Sequence, residues 1–320
     1  MASLIRKAAI FGAAGAIGPA VAREFERRGI AYRVVGRSRQ KLETAFHEFP
    51  HAEIVAADLS EPGGASTAAQ GVDTIVFSVG LPYPEHARFP AMVRTALDVA
   101  AGAGVARFLR ISNVYSYGVP RTSRVPESQP RFPVAVKGTY HKETEDLVLE
   151  AHKKGRLAGM VLRLPDFYGP GAEQSLANPI FKAALAGKTA NWVGPVNTPH
   201  EFIYVPDAGR VIVDLAECAE CYGEAWNAGG PGAINTIDFI TRIYRAAGRA
   251  PKYRTAGRGL LKILGWFSPL MRELPEMLYL QETPVILDDS KLLAKFPATH
   301  KTSYDDGIRL TLDWMRGRSG

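Results

Sequence analysis

The sequence predicts an α/β fold with a doubly wound parallel sheet and a smaller C-terminal lobe. Two observations support this prediction: short apolar segments alternate with amphipathic ones through the first half of the chain, and a glycine-rich turn follows the first apolar segment. Strands separated by helices favour parallel pairing with helices on both faces. A chain of 320 residues is long enough for this arrangement.

The predicted elements follow in order. The first helix, 17–28, places Val21 and Phe25 on one side and ends at Gly29. The predicted strands are 8–11, 32–35, 53–56, 74–79, 105–111 and 159–164. The predicted helices are 17–28, 40–48, 90–103 and a further one that begins near residue 137.

After Pro165 the sequence contains more proline, glycine and aromatic residues and fewer clean strand–helix alternations. We therefore predict a main domain over 1–174, with return segments near 202–229 and 284–290, and a substrate lobe formed mainly by 175–320. The basic, apolar stretch 258–271 is interrupted by Gly265 and Pro269, so a packed or lid-like element is favoured there over a membrane-surface helix.

The turn GAAGAIG lies between the first strand and the first helix. Glycines allow the sharp turn, the approach of a pyrophosphate to the backbone and close helix packing, so this context predicts dinucleotide binding. The alternative is a tight turn in an unrelated α/β protein. The predicted binding positions here are Gly12, Ala14, Gly15, Ile17 and Gly18.

The end of the second strand reads GRSRQK, with Arg37, Ser38 and Arg39 where a carboxylate would favour NAD(H). Guanidinium groups and a hydroxyl suit a phosphate dianion. We therefore predict that NADP(H) is preferred over NAD(H), the alternative being surface arginines beside a helix start.

These segments, together with AADLS, RFLRISNVYSYG, RLPDFYGPG and FIYVPDAGR, resemble the short-chain dehydrogenase/reductase superfamily and its extended, NAD-dependent epimerase/dehydratase-like branch. The resemblance covers nearly the whole chain and implies a Rossmann fold. It also implies cofactor contacts from Asp58, Leu59 and Pro165, a small-molecule substrate and a homodimer.

The resemblance further implies a catalytic tyrosine with a lysine four residues later. Alignment of the downstream KETEDLV places Lys142 at the lysine position and Gly138 at the tyrosine position. Residues two apart on a helix point about 200° apart, so Tyr140 joins Lys142 at the site only if the first helical turn is unwound. Otherwise Tyr140 packs or is solvated on the far side.

The strand RFLRISNVYSYG places Asn113 where the family has a serine or threonine, with Ser112 beside it. An asparagine amide can donate to a carbonyl oxygen, so we expect Asn113 to polarise the substrate. The outside candidates for proton donor, besides Tyr140, are Tyr115, Tyr168 and His200.

Two functional interpretations remain open. The first is an oxidoreductase that acts on a small carbonyl or alcohol, or on a sugar nucleotide. The second is a catalytically reduced dinucleotide-binding sensor or an RNA-associated protein of the same fold. The net charge of +7 is spread along the chain, which makes nucleic acid an unlikely partner, and a lysine kept at 142 favours the enzyme.

Composition limits the other classes. Cys218 and Cys221 form one CxxC without a second pair or a nearby histidine, so we expect no metal site and no redox motif. No apolar run approaches the ~20 residues of a membrane span. The N-terminal segment imitates a signal peptide, but it also supplies the first strand, so we expect an untagged cytoplasmic protein with no membrane partner.

Overall fold

The computed structural model describes residues 3–259, 261, 266 and 269–317. Its strands are β1 (Lys7–Phe11), β2 (Ala31–Gly36), β3 (Ala52–Ala56), β4 (Thr74–Phe77), β5 (Arg107–Asn113), β6 (Ala158–Leu164), β7 (Asp166–Tyr168), β8 (Ala190–Val193), β9 (Pro199–His200), β10 (Phe202–Tyr204), β11 (Ala225–Asn227), β12 (Ile234–Asn235) and β13 (Tyr253–Ala256). Its helices include α1 (Ile17–Arg28), α2 (Arg39–Phe46), α3 (Pro62–Ala69), α4 (Phe89–Gly102), α5 (Val136–Lys153), α6 (Asn178–Leu185), α7 (Val205–Ala216), α8 (Thr236–Ala246), α9 (Pro269–Met277), α10 (Tyr279–Glu282), α11 (Ser290–Lys295) and α12 (Tyr304–Gly317).

Seven strands form one parallel sheet in the order β11-β6-β5-β4-β1-β2-β3. The strand order reverses between β1 and β4, and such a switch point opens a crevice at the carboxyl ends of the strands. The predicted fold class, a doubly wound α/β sheet, is confirmed. All six predicted strands belong to this sheet, and β11 extends it at the β6 edge.

Helices cover both faces of the sheet. Alternate β5 residues enter different cores: Leu109 packs with α1 and α7 side chains, whereas Phe108 packs with α3, α4 and α5 side chains. The backbones of α1 and α7 approach closely, since a Cβ on Gly209 would lie 2.8 Å from the Ala20 carbonyl carbon. This packing holds α1, and with it the glycine turn, against the sheet.

Helix α3 is absent from the sequence prediction because its sequence PGGASTAA contains two adjacent glycines, which are poor helix formers. Packing explains the second one: a Cβ on Gly64 would lie 2.3 Å from the Asp58 carbonyl oxygen. Tertiary contact therefore overrides local propensity at this helix.

The C-terminal half contributes a separate aromatic core. Tyr168, Phe181, Phe239 and Tyr304 pack together in it, and the Phe202 and Phe239 rings stack with centroids 4.3 Å apart. By contrast, side chains of α7 and β11 pack in the core that contains Leu109 and α1. The division at residue 174 stays a prediction, and the segment 258–271 lies partly outside the described residues.

Cys218 and Cys221 are buried and joined by a disulfide bond with an S–S distance of 2.02 Å.

Among the residues that the structure describes, we find no helix with the length and apolar character that crossing a bilayer requires.

Candidate active site

A cleft of about 2190 Å³ runs along the carboxyl ends of the strands and beneath the C-terminal lobe. Pockets for single small ligands measure roughly 300–1,000 Å³. The cleft is therefore large enough for a dinucleotide and a second molecule together.

The glycine turn forms one end of the cleft. Gly12 has φ +80°, and a Cβ on it would lie 2.6 Å from the Val79 Cα atom. A Cβ on Gly18 would lie 1.9 Å from the Ala13 carbonyl oxygen. Neither position accepts a side chain. The Gly12 backbone lines the cleft, whereas Gly18, a predicted cofactor contact, is not among the lining residues and instead packs α1 against the turn.

Helix α1 begins directly after this turn with an uncapped N-terminus. Its N-cap residue, Ala16, has no side chain that can accept from the first-turn N–H groups. Ala14, Gly15 and Ile17 line the cleft at this point. Free N–H groups and the positive end of the helix dipole suit a pyrophosphate, so these residues fit the phosphates of a dinucleotide.

The end of β2 lines the cleft with Arg37 and Ser38. The Ser38 hydroxyl accepts from the Lys41 backbone N–H at 3.3 Å and so caps α2. Arg39 points elsewhere and pairs with Glu43 at 3.5 Å. The structure thus brings two of the three predicted phosphate-binding residues to the cleft.

Asp58 and Leu59 lie beside Arg37 on the same wall. The Asp58 carboxylate accepts from the hydroxyl and the backbone N–H of Ser60, at 2.5 and 2.9 Å. Those hydrogen bonds, helped by the charge of Arg37, hold the pKa of Asp58 below its usual range. Pro165, the remaining predicted cofactor contact, also lines the cleft.

Asn113 lies at the other end of the cleft with a defined amide orientation. Its Oδ1 accepts from the Tyr115 backbone N–H at 3.0 Å, and its Nδ2 lies 3.3 Å from His141 Nε2. Because an amide nitrogen only donates, His141 Nε2 is the acceptor. Ser112 instead donates to Glu145 at 2.6 Å within the protein, so its hydroxyl is already engaged.

Helix α5 does not bring Lys142 or Tyr140 into the cleft. Lys142 pairs with Asp146 at 2.7 Å, and neither Lys142 nor Tyr140 is among the residues that line the cleft. The helix is wound from Val136, so the unwound turn that Tyr140 would need is not formed. Gly138 faces the Tyr115 carbonyl, where a Cβ would lie 2.5 Å from the oxygen.

Lys137 and His141 form a buried pair four residues apart on α5, one position before the predicted pair. Lys137 donates to Glu273 and Glu276 at 2.6 and 2.7 Å, so its charge is bound by α9. His141 lines the cleft. Burial, with the nearby charge of Arg110, lowers its pKa well below the usual value, so His141 is neutral.

Two polar pairs in the cleft were not predicted as pairs. The Tyr115 and Tyr83 hydroxyls lie 3.1 Å apart, and burial raises the pKa of Tyr115 well above its ordinary value, so this phenol keeps its proton. His200 Nε2 donates to Asp166 at 2.6 Å. Tyr168 packs instead in the aromatic core of the lobe.

Asp166 was not predicted as a site residue. Its position directly after Pro165, at the carboxyl end of β6, is the sequence feature that could have indicated it. His200 is 34 residues away along the chain, and β7 and β10 bring the two segments together by pairing in parallel. Only the tertiary fold shows that they meet.

The fold and this cleft define a dinucleotide-binding α/β protein with polar groups gathered at the far end. The model of the NAD dependent epimerase/dehydratase family matches residues 8–229, and the chain belongs to that family. The resemblance predicted from the sequence motifs is confirmed.

Two curated relatives match part of the chain. The dTDP-6-deoxy-L-talose 4-dehydrogenase (NAD(P)(+)) of Kitasatospora kifunensis is 28% identical over 207 residues, which cover 59% of this chain and 64% of that protein. The low-salt glycan biosynthesis protein Agl12 of Haloferax volcanii is 26% identical over 159 residues, which cover 48% and 50%. The chain thus spans between half and two thirds of the length of these relatives.

Solved structures share the fold over nearly the whole chain. A dTDP-glucose 4,6-dehydratase from Streptomyces venezuelae with NAD and TYD bound has a TM-score of 0.82 at 20% identity and covers 98% of each chain. A UDP-glucuronic acid 4-epimerase from Bacillus cereus with UDP-glucuronic acid and NAD has a TM-score of 0.81 at 19% identity, with 98% of this chain and 99% of that chain covered.

Proposed function

We propose that this protein is an NADP(H)-dependent oxidoreductase that interconverts a carbonyl and a secondary alcohol on a small molecule. The observation that carries the proposal is one continuous cleft. It leads from the glycine turn and the uncapped α1 N-terminus to the Asn113 amide and the His200–Asp166 pair. The NAD(P)(+) dehydrogenase among the relatives supports the same reaction class.

The preference for NADP(H) rests on Arg37 and Ser38. Both line the cleft at the end of β2, where a 2′-phosphate would meet a guanidinium and a hydroxyl. Arg39 does not line the cleft and pairs with Glu43 instead. Arg37 is therefore the main determinant in our proposal.

Asn113 polarises the substrate carbonyl in this proposal. One Nδ2 hydrogen points to His141, which leaves the second to donate to a carbonyl oxygen. His141, which is neutral, fixes the amide rather than supplying the positive charge that the family's lysine provides. Tyr115 therefore has no positive neighbour in His141 to lower its pKa, and it stays a protonated phenol.

The proton comes from His200, whose ring is held in place by the hydrogen bond from Nε2 to Asp166 at 2.6 Å. The glycine turn, Arg37 and Ser38 would hold NADPH, which would supply the hydride to the carbonyl carbon and be oxidised to NADP⁺. The carbonyl oxygen gains a proton from His200 Nδ1, the ring nitrogen that does not bond Asp166, and His200 regains a proton from solvent. The reverse direction oxidises the alcohol.

A second candidate function is a dinucleotide-binding sensor with little catalysis. The observation in its favour is that Lys142 and Tyr140 lie outside the cleft, while Lys137 is bound by Glu273 and Glu276. Cytoplasmic location and a homodimer stay predictions under either function.

The test combines cofactor binding with turnover. We expect Arg37→Ala to weaken NADPH binding by about tenfold while NADH binding is unchanged, as measured by cofactor fluorescence. Arg39→Ala is the matched control. With a carbonyl panel, His200→Gln should lower kcat by about 100-fold, the usual share of general acid catalysis. Tighter NADH than NADPH binding contradicts the cofactor proposal, and cofactor binding without turnover of any carbonyl favours the sensor.

A further inference from the structure

The C-terminal half contributes a mainly apolar wall to the cleft. We call this surface, together with the carboxylates of Asp166 and Glu201, the lobe wall. Its apolar members are Trp192, Val193, Met277, Leu278, Leu280 and Val285. Most of these side chains are buried in the protein and contribute only their cleft-facing atoms. A ligand held here therefore meets hydrocarbon and an indole ring.

This apolar surface lies at the reacting end of the cleft. Met277, Leu280 and Val285 belong to one cluster with Val114, and Tyr115 packs against it. Val114 and Tyr115 directly follow Asn113, the proposed carbonyl-polarising residue. The body of the substrate, next to its reacting carbon, must therefore lie against the lobe wall.

Two carboxylates belong to the lobe wall. Asp166 and Glu201 both line the cleft, and Glu201 is only 3% exposed. Burial, which disfavours the charged form, raises the pKa of Glu201 to about 7. A diphosphate placed here would add two more negative charges in a poorly solvated space.

Several cations near this region, among the residues that the structure describes, already pair with carboxylates. Arg210, which lines the cleft from α7, pairs with Asp207. Lys137 pairs with Glu273 and Glu276, and Arg258 pairs with Glu282 at 2.8 Å. Lys301 pairs with Asp289.

Arg110 reaches the cleft from β5. Its guanidinium lies 5.3 Å from the ring centroids of both Phe77 and Phe89, and the residue is 2% exposed. Stacked between these rings, Arg110 is poorly placed to pair with a diphosphate.

We propose that the substrate is an uncharged ketone or secondary alcohol with an apolar body, in contrast to the sugar nucleotide named for the dehydrogenase relative. The inference rests on the proposed function, because it concerns the substrate of that same site. Apolar contact selects the body, and Asn113 together with His200 binds the single reacting oxygen. Small-molecule pockets are typically lined by apolar side chains, with a few polar groups that orient the ligand.

The test uses the full chain, with NADP⁺ binding established first by fluorescence quenching. Initial rates of NADPH formation are then compared for a size series of uncharged cyclic and aryl secondary alcohols and for dTDP-6-deoxy-L-talose. We expect kcat/KM to be about tenfold or more higher for the uncharged alcohols. We also expect dTDP at about 1 mM, the upper range of ordinary KM values, not to compete with them.

Preferential turnover of the dTDP sugar, or competition by dTDP, overturns the substrate inference and leaves the proposed oxidoreductase intact. Failure to bind NADP⁺ removes the proposed function itself, before any alcohol is added. The two failures are therefore distinguishable.

Leu280→Ala tests the lobe wall directly. Removing this side chain should raise KM for the largest alcohols by about tenfold, with little change in kcat for the smallest one. Leu310→Ala, at an exposed leucine of α12, is the matched control. If Leu280→Ala does not fold, Val285→Ala makes the same test with a smaller change. An equal effect on every alcohol, whatever its size, contradicts the inference.

Discussion

The two ends of the cleft are built in different ways. At the glycine turn of the cofactor end, backbone atoms form the wall, and Gly12 and Gly18 leave no room for a Cβ. At the reacting end, side chains converge from β5, α5, β7 and β9. The first arrangement tolerates almost no substitution, whereas the second can be rebuilt with new residues. This explains how the chain keeps the family's dinucleotide turn while Lys137 and His141 occupy the inward face of α5.

The largest expected effect concerns the charge network that anchors α5 to the sheet. Arg163 donates to Glu145 at 2.7 and 3.0 Å and to the Tyr117 hydroxyl at 2.8 Å, and both ionic groups are buried. Arg163→Met leaves Glu145 with Arg131 as its remaining ion-pair partner, at 2.9 Å. Loss of a partner from a buried pair costs roughly 3–5 kcal/mol.

Urea denaturation measures that loss in the free energy of unfolding. The control is Arg316→Met, which breaks an exposed pair with Asp313 and should cost less than about 1 kcal/mol. Equal costs for the two variants would show that α5 is held by its apolar face rather than by this network.

Glu201 gives the next largest effect, and it depends on pH. The folded-state pKa of about 7 lies above the ordinary 4.5, so the contribution of Glu201 to stability is fully present below pH 4.5 and is lost as pH rises through 7. Glu201→Gln removes this dependence. The variant should match the native protein near pH 4.5 and exceed its free energy of unfolding by up to about 3 kcal/mol near pH 8.

Urea melts at several pH values check this result. Glu220, which is exposed and pairs with Lys295, provides the control variant Glu220→Gln, which should show no such gain at high pH. A Glu201→Gln variant that is less stable than the native protein at pH 8 contradicts the expected sign.

Gly18→Ala probes the cofactor end. The added Cβ would collide with the Ala13 carbonyl oxygen, so the turn and the α1 N-terminus must separate. We expect NADPH binding to weaken by about 100-fold, or about 2.7 kcal/mol. Gly63→Ala is the control, since a Cβ there meets no atom within 4 Å. Fluorescence titration of both variants decides the point, and unchanged affinity in Gly18→Ala would show that the turn adapts.

The same contrast explains how much the sequence could predict. The glycine turn, the strands and the position of Arg37 and Ser38 at the end of β2 could be predicted, because each depends on residues that are neighbours in the sequence. The inward face of α5 was not, since it depends on a helix start at Val136 and on Gly138 packing against the Tyr115 carbonyl. The His200–Asp166 pair also required the tertiary fold, because β7 and β10 bring its members together.

Substitution of Ser38 is expected to have the smallest effect on stability, and it distinguishes the capping role of this residue from its proposed role in cofactor binding. As the N-cap of α2 its hydroxyl accepts from Lys41 N–H, and it also lines the cleft where the proposed 2′-phosphate lies. Ser38→Ala should cost about 1 kcal/mol of unfolding free energy through the lost cap. Ser38→Asp retains a capping oxygen, so stability should be kept, but its negative charge should weaken NADPH binding and leave NADH binding unchanged. Thermal or urea unfolding and the two cofactor titrations measure these effects separately. Equal losses of NADPH and NADH binding in Ser38→Asp would mean that the 2′-phosphate is held elsewhere.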